Sequence, residues 1–425
     1  MPAVAKVVGV ARTLTAEELP GLQRALGQQL SVAWHDGPLH FLGAGEAAVQ
    51  DGPVVAQALA TAARTPVEVT GPVLAPPAPW FCGFDFDATS AKDAWWESFP
   101  AARALVPRLL LAHSPEVATL TAYEAVGEDG EAAARTRAEE ALRRALVRAA
   151  PAEAAAPARR AAGVREDVRA WEALVGRALD ALRAGMLRKV VLARALDVTA
   201  EGPLDVARAL ERAQAQAGGA VVFAFRAPDG TTFLGASPER LVRVRGRHFT
   251  TQALAGSAPP EEAERLASSP KEVWEHAAVV EDVRSALDAV AETLEVGDVS
   301  PVSLGYVVHL DARIEGTLRP GVTPLQAALA LHPTAAVSGA PRDRARAFLR
   351  AQERLARGWY AGGVGWVGAE AADLRVALRC ALVRGPAARL FVGAGVVEGS
   401  TAAGEWAETR RKASPMLQAL FGETL

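Results

Sequence analysis

Short apolar runs alternate with longer helix-like segments along almost the whole chain, and this alternation limits what the chain can fold into. The longest apolar runs, such as residues 220–225 and 190–193, fall far short of the ~18 residues that a membrane-spanning helix needs. The composition, with 50% hydrophobic and 22% charged residues, is that of a globular protein. Strands interspersed with helices favour layers of both types around a shared core, so we predict a mixed α/β fold without a membrane span.

The first 125 residues have the pattern of strands and hairpins. Residues 30–34 form an apolar run that ends at the sequence His-Asp-Gly-Pro, and residues 67–70 end at a Gly-Pro pair; both patterns are typical of strands followed by tight turns. Residues 128–149, rich in Ala, Glu and Arg, predict a helix. The stretch 150–162 is of low complexity and contains two prolines, so we interpret it as a connector.

The remainder of the chain predicts a continuous mixture of helices and strands. Apolar residues recur at helical spacing, and helix start signals such as Ser269-Pro270 precede some of these segments. We predict helices over residues 165–184, 270–295, 324–331, 343–357 and 404–421. We predict strands over residues 189–194, 220–225, 232–234, 376–383 and 390–392, and near Val364.

Charge and cysteine content exclude several classes of function. The 46 Lys and Arg residues against 49 Asp and Glu give a formal charge of −3, without the basic block that nucleic-acid binding favours. The first 13 residues lack a secretory signal pattern, so we expect a cytoplasmic protein. Cys82 and Cys380 do not form a Cys-x-x-Cys motif, so we predict neither a disulfide nor a thiolate metal site, and interpret both as small buried residues.

Only five of the 46 basic residues are lysines, which makes each lysine informative. A guanidinium does not lose its proton, whereas a desolvated ammonium can, and it can then act as a general base. Lys189 leads directly into the apolar run 190–193, where burial would desolvate it. Lys189 is therefore a candidate base, the alternative being a solvated lysine at a strand end.

Glu239 occupies a second suggestive position, in the segment Phe-Leu-Gly-Ala-Ser-Pro-Glu-Arg. A strand followed by a small-residue turn would hold its carboxyl at the end of a sheet, where sites cluster. In partly apolar surroundings such a carboxyl keeps its proton and can donate it. The alternative is a turn carboxylate paired with Arg240 or another arginine. The segment lacks the Gly-x-Ser-x-Gly nucleophile motif, so a serine hydrolase gains no support.

Two Glu-x-x-Glu pairs lie on predicted helices, Glu272 with Glu275 and Glu405 with Glu408. A spacing of three places both carboxylates on one helix face, and two such faces together would offer the oxygen ligands that Mg²⁺ prefers. Each pair also has an ordinary explanation. Ser269 and Glu272 fit a capping box, and Glu408 with Lys412 fits a surface ion pair.

The glycines of residues 393–399 follow a predicted strand and precede a helix. The spacing differs from the dinucleotide-binding fingerprint by one residue, and the chain ends before a second βαβ unit. A nucleotide-dependent enzyme is thus a weaker hypothesis. A glycine-rich loop whose backbone amides approach an anionic ligand remains compatible with the sequence.

Eight motifs occur in an order that resembles the chorismate-utilising enzymes, over about residues 164–420. Residues 80–107 also resemble the corresponding region of isochorismate synthases. The eight motifs are Lys-Val-Val-Leu-Ala-Arg (189–194), Phe-Leu-Gly-Ala-Ser-Pro-Glu-Arg (233–240), Ala-Leu-Ala-Gly-Ser (253–257), Lys-Glu-x-x-Glu-His (271–276), His-Leu (309–310), Leu-His-Pro-Thr (331–334), Arg-Gly-Trp-Tyr-Ala-Gly (357–362), and Gly-Ala-Gly-Val-Val followed by Glu-x-x-Glu-x-x-x-Lys (393–412).

The resemblance implies a mechanism and roles for the candidate residues. Lys189 would activate water for attack at C2 of chorismate, and Glu239 would protonate the hydroxyl that leaves C4. Mg²⁺ would be the cofactor and would bind the ring carboxylate. The implied metal residues are Glu275 and Glu408 as direct ligands, with Glu272 and Glu405 holding the water ligands of the ion.

The resemblance also implies a substrate pocket and a fold. Arg379 and Tyr360 would hold the enolpyruvyl carboxylate. Lining the pocket would be His309, which we count as catalytic, together with Lys412 and the backbone at Gly256 and Gly395. The implied fold is a single large α/β body of two packed antiparallel-rich sheets with outer helices. Residues 1–163, with the connector at about 150–162, would contribute to the same body as the chorismate-binding region 164–425, and we expect a monomer or weak homodimer.

The choice of reaction depends on a few positions. Ala255 stands where aminodeoxychorismate synthases carry a lysine, so water is the expected nucleophile, and an isochorismate synthase for menaquinone biosynthesis is our leading hypothesis. A salicylate synthase, which would also release pyruvate, and a chorismate-binding subunit of an ammonia-using synthase are the alternatives. The departures from the family pattern are Gln252, Ser257, Ala335 and Ser338.

Overall fold

The computed structural model of the protein describes residues 4–74, 80–147, 160–258, 260–304 and 307–422. The side chains of a few residues within these ranges lie outside what it describes: Ser257, Pro260, Ala267, Pro270, Lys271, Glu272, Glu275, Leu304 and Val307. No helix in the described ranges is long and apolar enough to cross a membrane.

Strands form most of the framework. In chain order they are β1 (Val7–Thr13), β2 (Leu30–Asp36), β3 (Leu39–Ala44), β4 (Ala48–Gly52), β5 (Val67–Thr70), β6 (Trp80–Phe84), β7 (Ala102–Val106), β8 (Leu109–His113), β9 (Ala118–Ala125), β10 (Ala161–Arg165), β11 (Lys189–Ala200), β12 (Val221–Arg226), β13 (Thr232–Ser237), β14 (Arg240–Arg245), β15 (His248–Ala258), β16 (Ala291–Val296), β17 (Ser300–Leu304), β18 (Val307–Leu318), β19 (Gly339–Ala340), β20 (Gly363–Val367), β21 (Ala371–Val376), β22 (Cys380–Arg384) and β23 (Ala387–Val396).

Helices cover the outer faces of these strands. They are α1 (Leu19–Gln28), α2 (Val55–Arg64), α3 (Gly130–Val147), α4 (Val168–Arg183), α5 (Val206–Ala215), α6 (Ala263–Ser268), α7 (Pro270–Leu287), α8 (Pro324–Leu331), α9 (Arg342–Gln352) and α10 (Ala402–Phe421). Local sequence fixes several of their ends. Thr323 and Gln326 form a capping box at the start of α8, and Gly422 ends α10 in the left-handed conformation that glycine favours.

The described strands form two large sheets. The first runs in the order β10-β11-β23-β22-β13-β12-β2-β3-β8-β9-β1-β5, with β19 beside β11, and the second in the order β16-β18-β15-β14-β21-β20-β6-β7-β4, with β17 beside β18. Described neighbours are antiparallel except for the parallel pair β1 and β5. The fold class predicted from the sequence is confirmed.

Aromatic side chains fill the space between the sheets. Phe41 of β3 and Phe81 of β6 pack edge to face across that space at 6.1 Å between ring centroids. Trp359 lies 5.5 Å from Phe225 of β12 and 6.1 Å from Phe233 of β13. All of these rings are buried. The contacts join strands from early and late parts of the chain in one core, because large apolar surfaces are removed from water together.

The two cysteines are buried, Cys82 in β6 and Cys380 in β22, and both are free. Burial raises the pKa of each thiol well above its usual range. Their interpretation as small buried residues is confirmed.

The structure corrects several predicted elements in the first half of the chain. Residues 19–28 and 55–64 are helices rather than strands; Leu22 and Leu26, one helical turn apart, are the buried residues of α1. The predicted helix 165–184 begins only at Val168, because Asp167 caps it through the amide of Ala170. Most of the predicted connector 150–162 lies outside the described residues, but its last two residues begin β10.

The second half of the chain also differs from the prediction. The helix predicted over 270–295 ends at Leu287, and residues 291–296 form β16, which pairs with β18. The helix predicted over 343–357 ends at Gln352. The strand predicted over 376–383 is broken between β21 and β22, where Arg379 has a φ of 48°, a left-handed conformation that interrupts a strand.

Candidate active site

One cavity of about 210 Å³ is lined by all the predicted site residues whose side chains are described. β11, β23, β15, β18, the turn after β13 and the first half of α10 form its walls. The predicted residues that line it are Lys189, Glu239, Gly256, His309, Tyr360, Arg379, Gly395, Glu405, Glu408 and Lys412. These residues come from distant parts of the sequence, so the fold assembles the cavity. The roles assigned to them stay predictions.

Lys189 is the first residue of β11, and its side chain extends over the neighbouring strand β23 at Gly395. A Cβ atom at Gly395 would lie 2.9 Å from Cε and 3.5 Å from Nζ of Lys189. Real Cβ atoms do not approach a carbon to 2.9 Å, so any side chain at residue 395 would push the lysine side chain from this position. Gly395 thus gives the lysine its route into the cavity.

Glu239 lies in the turn between β13 and β14, where the backbone is held tightly. Val376 donates its amide to the Glu239 carbonyl at 3.0 Å, and Ser237 Oγ accepts from the Glu239 amide at 3.2 Å. Glu239 is buried, with only 6% of the residue exposed. Thr334 donates its hydroxyl to Oε1 at 3.3 Å. The Glu239 carboxyl therefore bonds to Thr334 and does not form the ion pair with Arg240 that was the predicted alternative.

Burial raises the pKa of Glu239 to about 7, against the opposing effects of the Thr334 hydrogen bond and of the positive charges on Lys189 and Lys412. A carboxyl with this pKa carries its proton for a large part of the time at neutral pH. Glu239 is thus chemically suited to donate a proton to a leaving group.

His309 of β18 is held as a neutral imidazole. Its Nδ1 lies 2.7 Å from the carbonyl oxygen of Gly256, which can only accept, so Nδ1 carries the proton and Nε2 has the lone pair. Burial, with the nearby charge of Arg379, lowers the pKa of His309 to about 4 although the Gly256 carbonyl opposes this. Gly256 adopts a φ of 68°, a left-handed conformation that points its carbonyl at this ring.

Tyr360 and Arg379 form an anion-binding corner of the cavity. The Tyr360 ring stacks on Phe391 at 5.5 Å between centroids, and burial raises the pKa of its phenol, so the hydroxyl remains a donor. Arg379 sits in the break between β21 and β22, and its carbonyl accepts from the Ala236 amide at 3.1 Å. Burial lowers the pKa of Arg379, yet a guanidinium stays cationic. Together they supply donors for a carboxylate.

The acidic wall of the cavity comes from α10. Glu405 and Glu408 lie one turn apart, and both line the cavity. Lys412 Nζ is 2.6 Å from Glu408 Oε1 and donates to the Gly393 carbonyl at 3.2 Å. Although burial alone would raise the pKa of Glu408, Lys412 holds it below its usual value. The pairing predicted as a surface feature therefore exists, but it is partly buried in the cavity.

The carboxylates of this wall fit a divalent cation. Two carboxylate oxygens with water make up the kind of set that Mg²⁺ uses. Glu272 and Glu275 are on α7, and His276 anchors this helix to β15 through Nε2 and the Ala253 carbonyl at 2.9 Å. The side chains of these two glutamates lie outside the described residues. Among the described side chains no group of three or more His, Cys, Asp or Glu forms a metal site.

The prediction of a glycine-rich loop over residues 393–399 is wrong for residues 393–396. Residues 393–396 belong to β23 and pair with β11, so the amides that face β11 are engaged in the sheet. Gly393 leaves space for another group instead, because a Cβ atom there would lie 2.7 Å from the Tyr360 hydroxyl. Both glycines of β23 therefore make room for cavity side chains.

A buried ion pair behind the cavity was not predicted from the sequence. The Glu353 carboxylate binds Arg357 at 2.5 Å and accepts from the Ala193 amide of β11 at 2.8 Å. Arg357 also donates to the carbonyls of Val191 at 2.7 Å and Val337 at 3.0 Å. The pair joins the strand that carries Lys189 to the loop that carries Thr334. Its signal in the sequence was the i,i+4 spacing of a Glu and an Arg.

Comparison with known proteins was consistent with this site. Residues 54–421 match the family model described as chorismate binding enzyme. The chain is 36% identical over 359 residues to a protein named salicylate biosynthesis isochorismate synthase from Pseudomonas aeruginosa, covering 81% of this chain and 75% of the relative. It is 34% identical over 373 residues to isochorismate synthase MenF from Bacillus subtilis, covering 83% and 75%.

A solved structure supports the fold as well. The structure titled as MenF, the menaquinone-specific isochorismate synthase from Escherichia coli, matches 99% of this chain and 96% of that chain, with a TM-score of 0.81 and 26% sequence identity. The family model alone spans most of the residues that form both sheets and the cavity. The resemblance drawn from the motifs is confirmed, and this chain belongs to the family of chorismate-binding enzymes.

Proposed function

We propose that the protein is an Mg²⁺-dependent isochorismate synthase, an isomerase that converts chorismate to isochorismate. The observation that carries this proposal is the shared cavity of Lys189 and Glu239, in which the carboxyl has a pKa of about 7. Relatives named isochorismate synthase, with 34 to 36% identity, support the same reaction. Since the reaction moves a hydroxyl group within one molecule, the enzyme is a hydroxymutase.

The proposed reaction needs one base and one acid. Lys189, as the free amine, takes a proton from water while the oxygen bonds to C2 of the ring. Both double bonds of the ring shift by one position, the C4–O bond breaks, and protonated Glu239 gives its proton to the departing hydroxyl, which leaves as water. One water enters and one leaves, so the product is an isomer of the substrate. Afterwards Lys189 holds an extra proton and Glu239 lacks one, and exchange with solvent restores both groups.

The anion-binding corner orients the substrate for these steps. Arg379 and Tyr360 would hold the enolpyruvyl carboxylate by charge-assisted hydrogen bonds. His309, neutral and with its lone pair on Nε2, would accept a hydrogen bond from a substrate hydroxyl or water. Fixing the ring between Lys189 and Glu239 turns the attack of water into a reaction of aligned groups.

Glu405 and Glu408, with Glu272 and Glu275 of α7, would hold Mg²⁺. When bound, the ion neutralises the ring carboxylate of the substrate and adds a positive charge beside the reacting ring. Lys412 now pairs with Glu408 at 2.6 Å, so this lysine and the metal compete for the same carboxylate. Titration calorimetry with MgCl₂ should show at least tenfold weaker binding for Glu408→Gln. Glu211→Gln, on the exposed side of α5, is the matched control.

The reaction is tested by incubating the purified chain with chorismate and Mg²⁺, with and without ammonium. Isochorismate without pyruvate is the expected product. Salicylate plus pyruvate would instead assign a salicylate synthase. An amino product formed only with ammonium would assign a subunit of an ammonia-using synthase. Lys189→Ala and Glu239→Gln should each lose more than a hundredfold in kcat, while Lys6→Ala, at a surface ion pair, should keep wild-type activity.

Menaquinone biosynthesis is the pathway that we propose for the product, with the enzyme acting in the cytoplasm. The support is the similarity to the menaquinone-specific enzyme over 99% of the chain, whereas the Pseudomonas relative is named for salicylate biosynthesis. Deleting the gene in its host should lower menaquinone. Loss of salicylate or of a catechol with normal menaquinone would contradict this assignment.

A further inference from the structure

The turn of residues 334–338 forms part of the cavity wall and carries the hydrogen-bond partner of the proposed acid. Val337 lines the cavity, and Thr334 donates its hydroxyl to Glu239 Oε1 at 3.3 Å. Within the turn, the Thr334 carbonyl accepts from the Ser338 amide at 3.0 Å and from the Ser338 hydroxyl at 2.8 Å. The position of the Thr334 hydroxyl therefore depends on how the turn is anchored to the rest of the fold.

Asp282 of α7 anchors the start of this turn. Its Oδ2 atom accepts from the Ala335 amide at 3.2 Å and from Arg342 Nη2 at 2.8 Å. Arg342, the first residue of α9, also donates to the Ala330 carbonyl of α8 at 3.1 Å. Ala335 is buried and the Asp282 side chain is mostly so, and hydrogen bonds to an ionised acceptor are among the stronger ones. One carboxylate thus joins three helices to the residue that follows Thr334.

Two departures from the family pattern, Ala335 and Ser338, supply donors to this turn. The Ala335 amide bonds to Asp282, and the Ser338 hydroxyl bonds to the Thr334 carbonyl. A proline at residue 335 would have no amide hydrogen to donate, and a glycine at residue 338 would have no hydroxyl. Both bonds restrain the turn at its start, where Thr334 lies.

From these contacts we infer that Asp282 is a positioning residue for the reaction. Through the Ala335 amide it holds Thr334 against the Glu239 carboxyl and so keeps the acid aimed at the departing hydroxyl. The inference rests on the proposed function. Asp282 does not line the cavity, so it acts through the turn and not by contact with the substrate. The carboxylate also fixes the turn relative to α7, the helix of the proposed metal ligand Glu275.

Kinetics of Asp282 variants test the positioning role. Asp282→Ala removes the acceptor, so we expect kcat to fall about tenfold because a reacting group is displaced. The KM for chorismate should stay within about twofold of the wild type, since Arg379 and Tyr360 keep their donors. Asp282→Asn retains an oxygen that can accept from the Ala335 amide and should recover most of the rate. Glu281→Ala removes the neighbouring exposed acid of α7 and is the matched control, with wild-type kcat expected.

Ala335→Pro breaks the same bond from the other side without changing a charge. Proline is accepted at the second position of a turn, which residue 335 occupies because the Val337 amide bonds to the Thr334 carbonyl. Its ring, however, would take the place of the hydrogen that points at Asp282 Oδ2, 3.2 Å from the nitrogen. We expect kcat to fall as in Asp282→Ala, and the double variant to lose no more than either single variant. Fully additive losses, or wild-type kcat in both single variants, would overturn the inference.

A readout without turnover separates this inference from the proposed function. Burial raises the pKa of Glu239 to about 7, and the Thr334 hydroxyl opposes this. The charges on Lys189 and Lys412 oppose it too. In Ala335→Pro, loss of the Thr334 bond should raise the pKa of Glu239 by about half a unit. The infrared band of the protonated carboxyl, assigned by its loss in Glu239→Gln, gives this pKa in the absence of chorismate. An unchanged pKa would overturn the inference, whereas a wild type that forms no isochorismate would overturn the proposed function.

Discussion

Glu239 has to hold a proton at a pH at which an ordinary carboxyl is ionised. Burial raises its pKa to about 7, and the acid step uses only the protonated form. We therefore expect kcat to fall tenfold per pH unit above about pH 7, because deprotonated Glu239 accumulates there. A pH profile of kcat between 5.5 and 9 measures this. A flat profile up to pH 9 would contradict the assignment of Glu239 as the acid.

The same burial has a cost in stability. A raised pKa means that the stability contributed by the neutral carboxyl is complete below pH 4.5 and is lost as pH rises through about 7. Glu239→Gln has no charge to bury. The free energy of unfolding of this variant, minus that of the wild type, should therefore increase as the pH is raised from 5 to 9. This increase can reach at most about 3 kcal/mol, because the pKa of Glu239 changes by about 2.5 and each unit corresponds to about 1.36 kcal/mol. Urea unfolding at both pH values measures the difference, and an unchanged difference would contradict the raised pKa.

Gly395 offers a further test at the level of one atom. Its substitution by alanine would put a methyl group 2.9 Å from Cε of Lys189 and displace the amine. A shift of about an ångström at a reacting group can cost about a hundredfold in rate, so we expect Gly395→Ala to lose kcat by ten- to a hundredfold. Gly163→Ala in β10, where a Cβ atom would meet nothing within 4 Å, is the control. Equal activity of the two variants would mean that Lys189 does not follow this route.

At the scale of elements, β11 is held in place by the buried pair Glu353 and Arg357. Both side chains are 4% exposed, so Arg357→Met would leave a buried carboxylate without its partner. The expected loss in the free energy of unfolding is about 3–5 kcal/mol, together with lower activity, because Val191 and Val337 lose the same donor. Adding Glu353→Gln should restore part of the stability. Arg208→Met, at an exposed pair on α5, should change stability by under about 0.5 kcal/mol. A similar small change for Arg357→Met would contradict the role of the pair.

Elements with local signals were predictable, and those set by distant contacts were not. The helix α8 was predicted with its observed bounds, and in the structure the local residues Thr323, Pro324 and Gln326 fix its start. The sequence of residues 376–383 did not predict the turn at Arg379. The backbone conformation of Arg379 depends on its contact with β13. In the site, motif residues such as Lys189 and Glu239 were found from sequence. Thr334 and Glu353 act through partners 95 and 160 residues away, which spacing alone does not reveal.

At the scale of the whole molecule, the early strands form one end of each sheet and the late strands form the other, and the two groups meet at one strand pair per sheet. β2 pairs with β12 in the first sheet, and β6 lies between β7 and β20 in the second. Trp96 contacts Phe233 and Phe391 at 5.3 Å each and donates to the Ala356 carbonyl. The early strands thus extend both sheets from β12 and β20, and Trp96 packs against the strands β13 and β23 beside the active site. We propose that residues 1–163 and 164–425 are one folding unit, although the motifs fall almost wholly in the second part.

Splitting the chain tests this proposal. Residues 164–425 expressed alone should be insoluble or fail to show a cooperative unfolding transition, because β12 and β20 would each expose an unpaired edge and an apolar face. Co-expression with residues 1–163 should restore a soluble complex, since a cut near residue 163 removes no strand pairing other than that of β10 with β11. Circular dichroism, thermal unfolding and copurification measure the outcome. A cooperatively folded fragment 164–425 with chorismate-converting activity would show instead that the early strands are an addition to an independent catalytic domain.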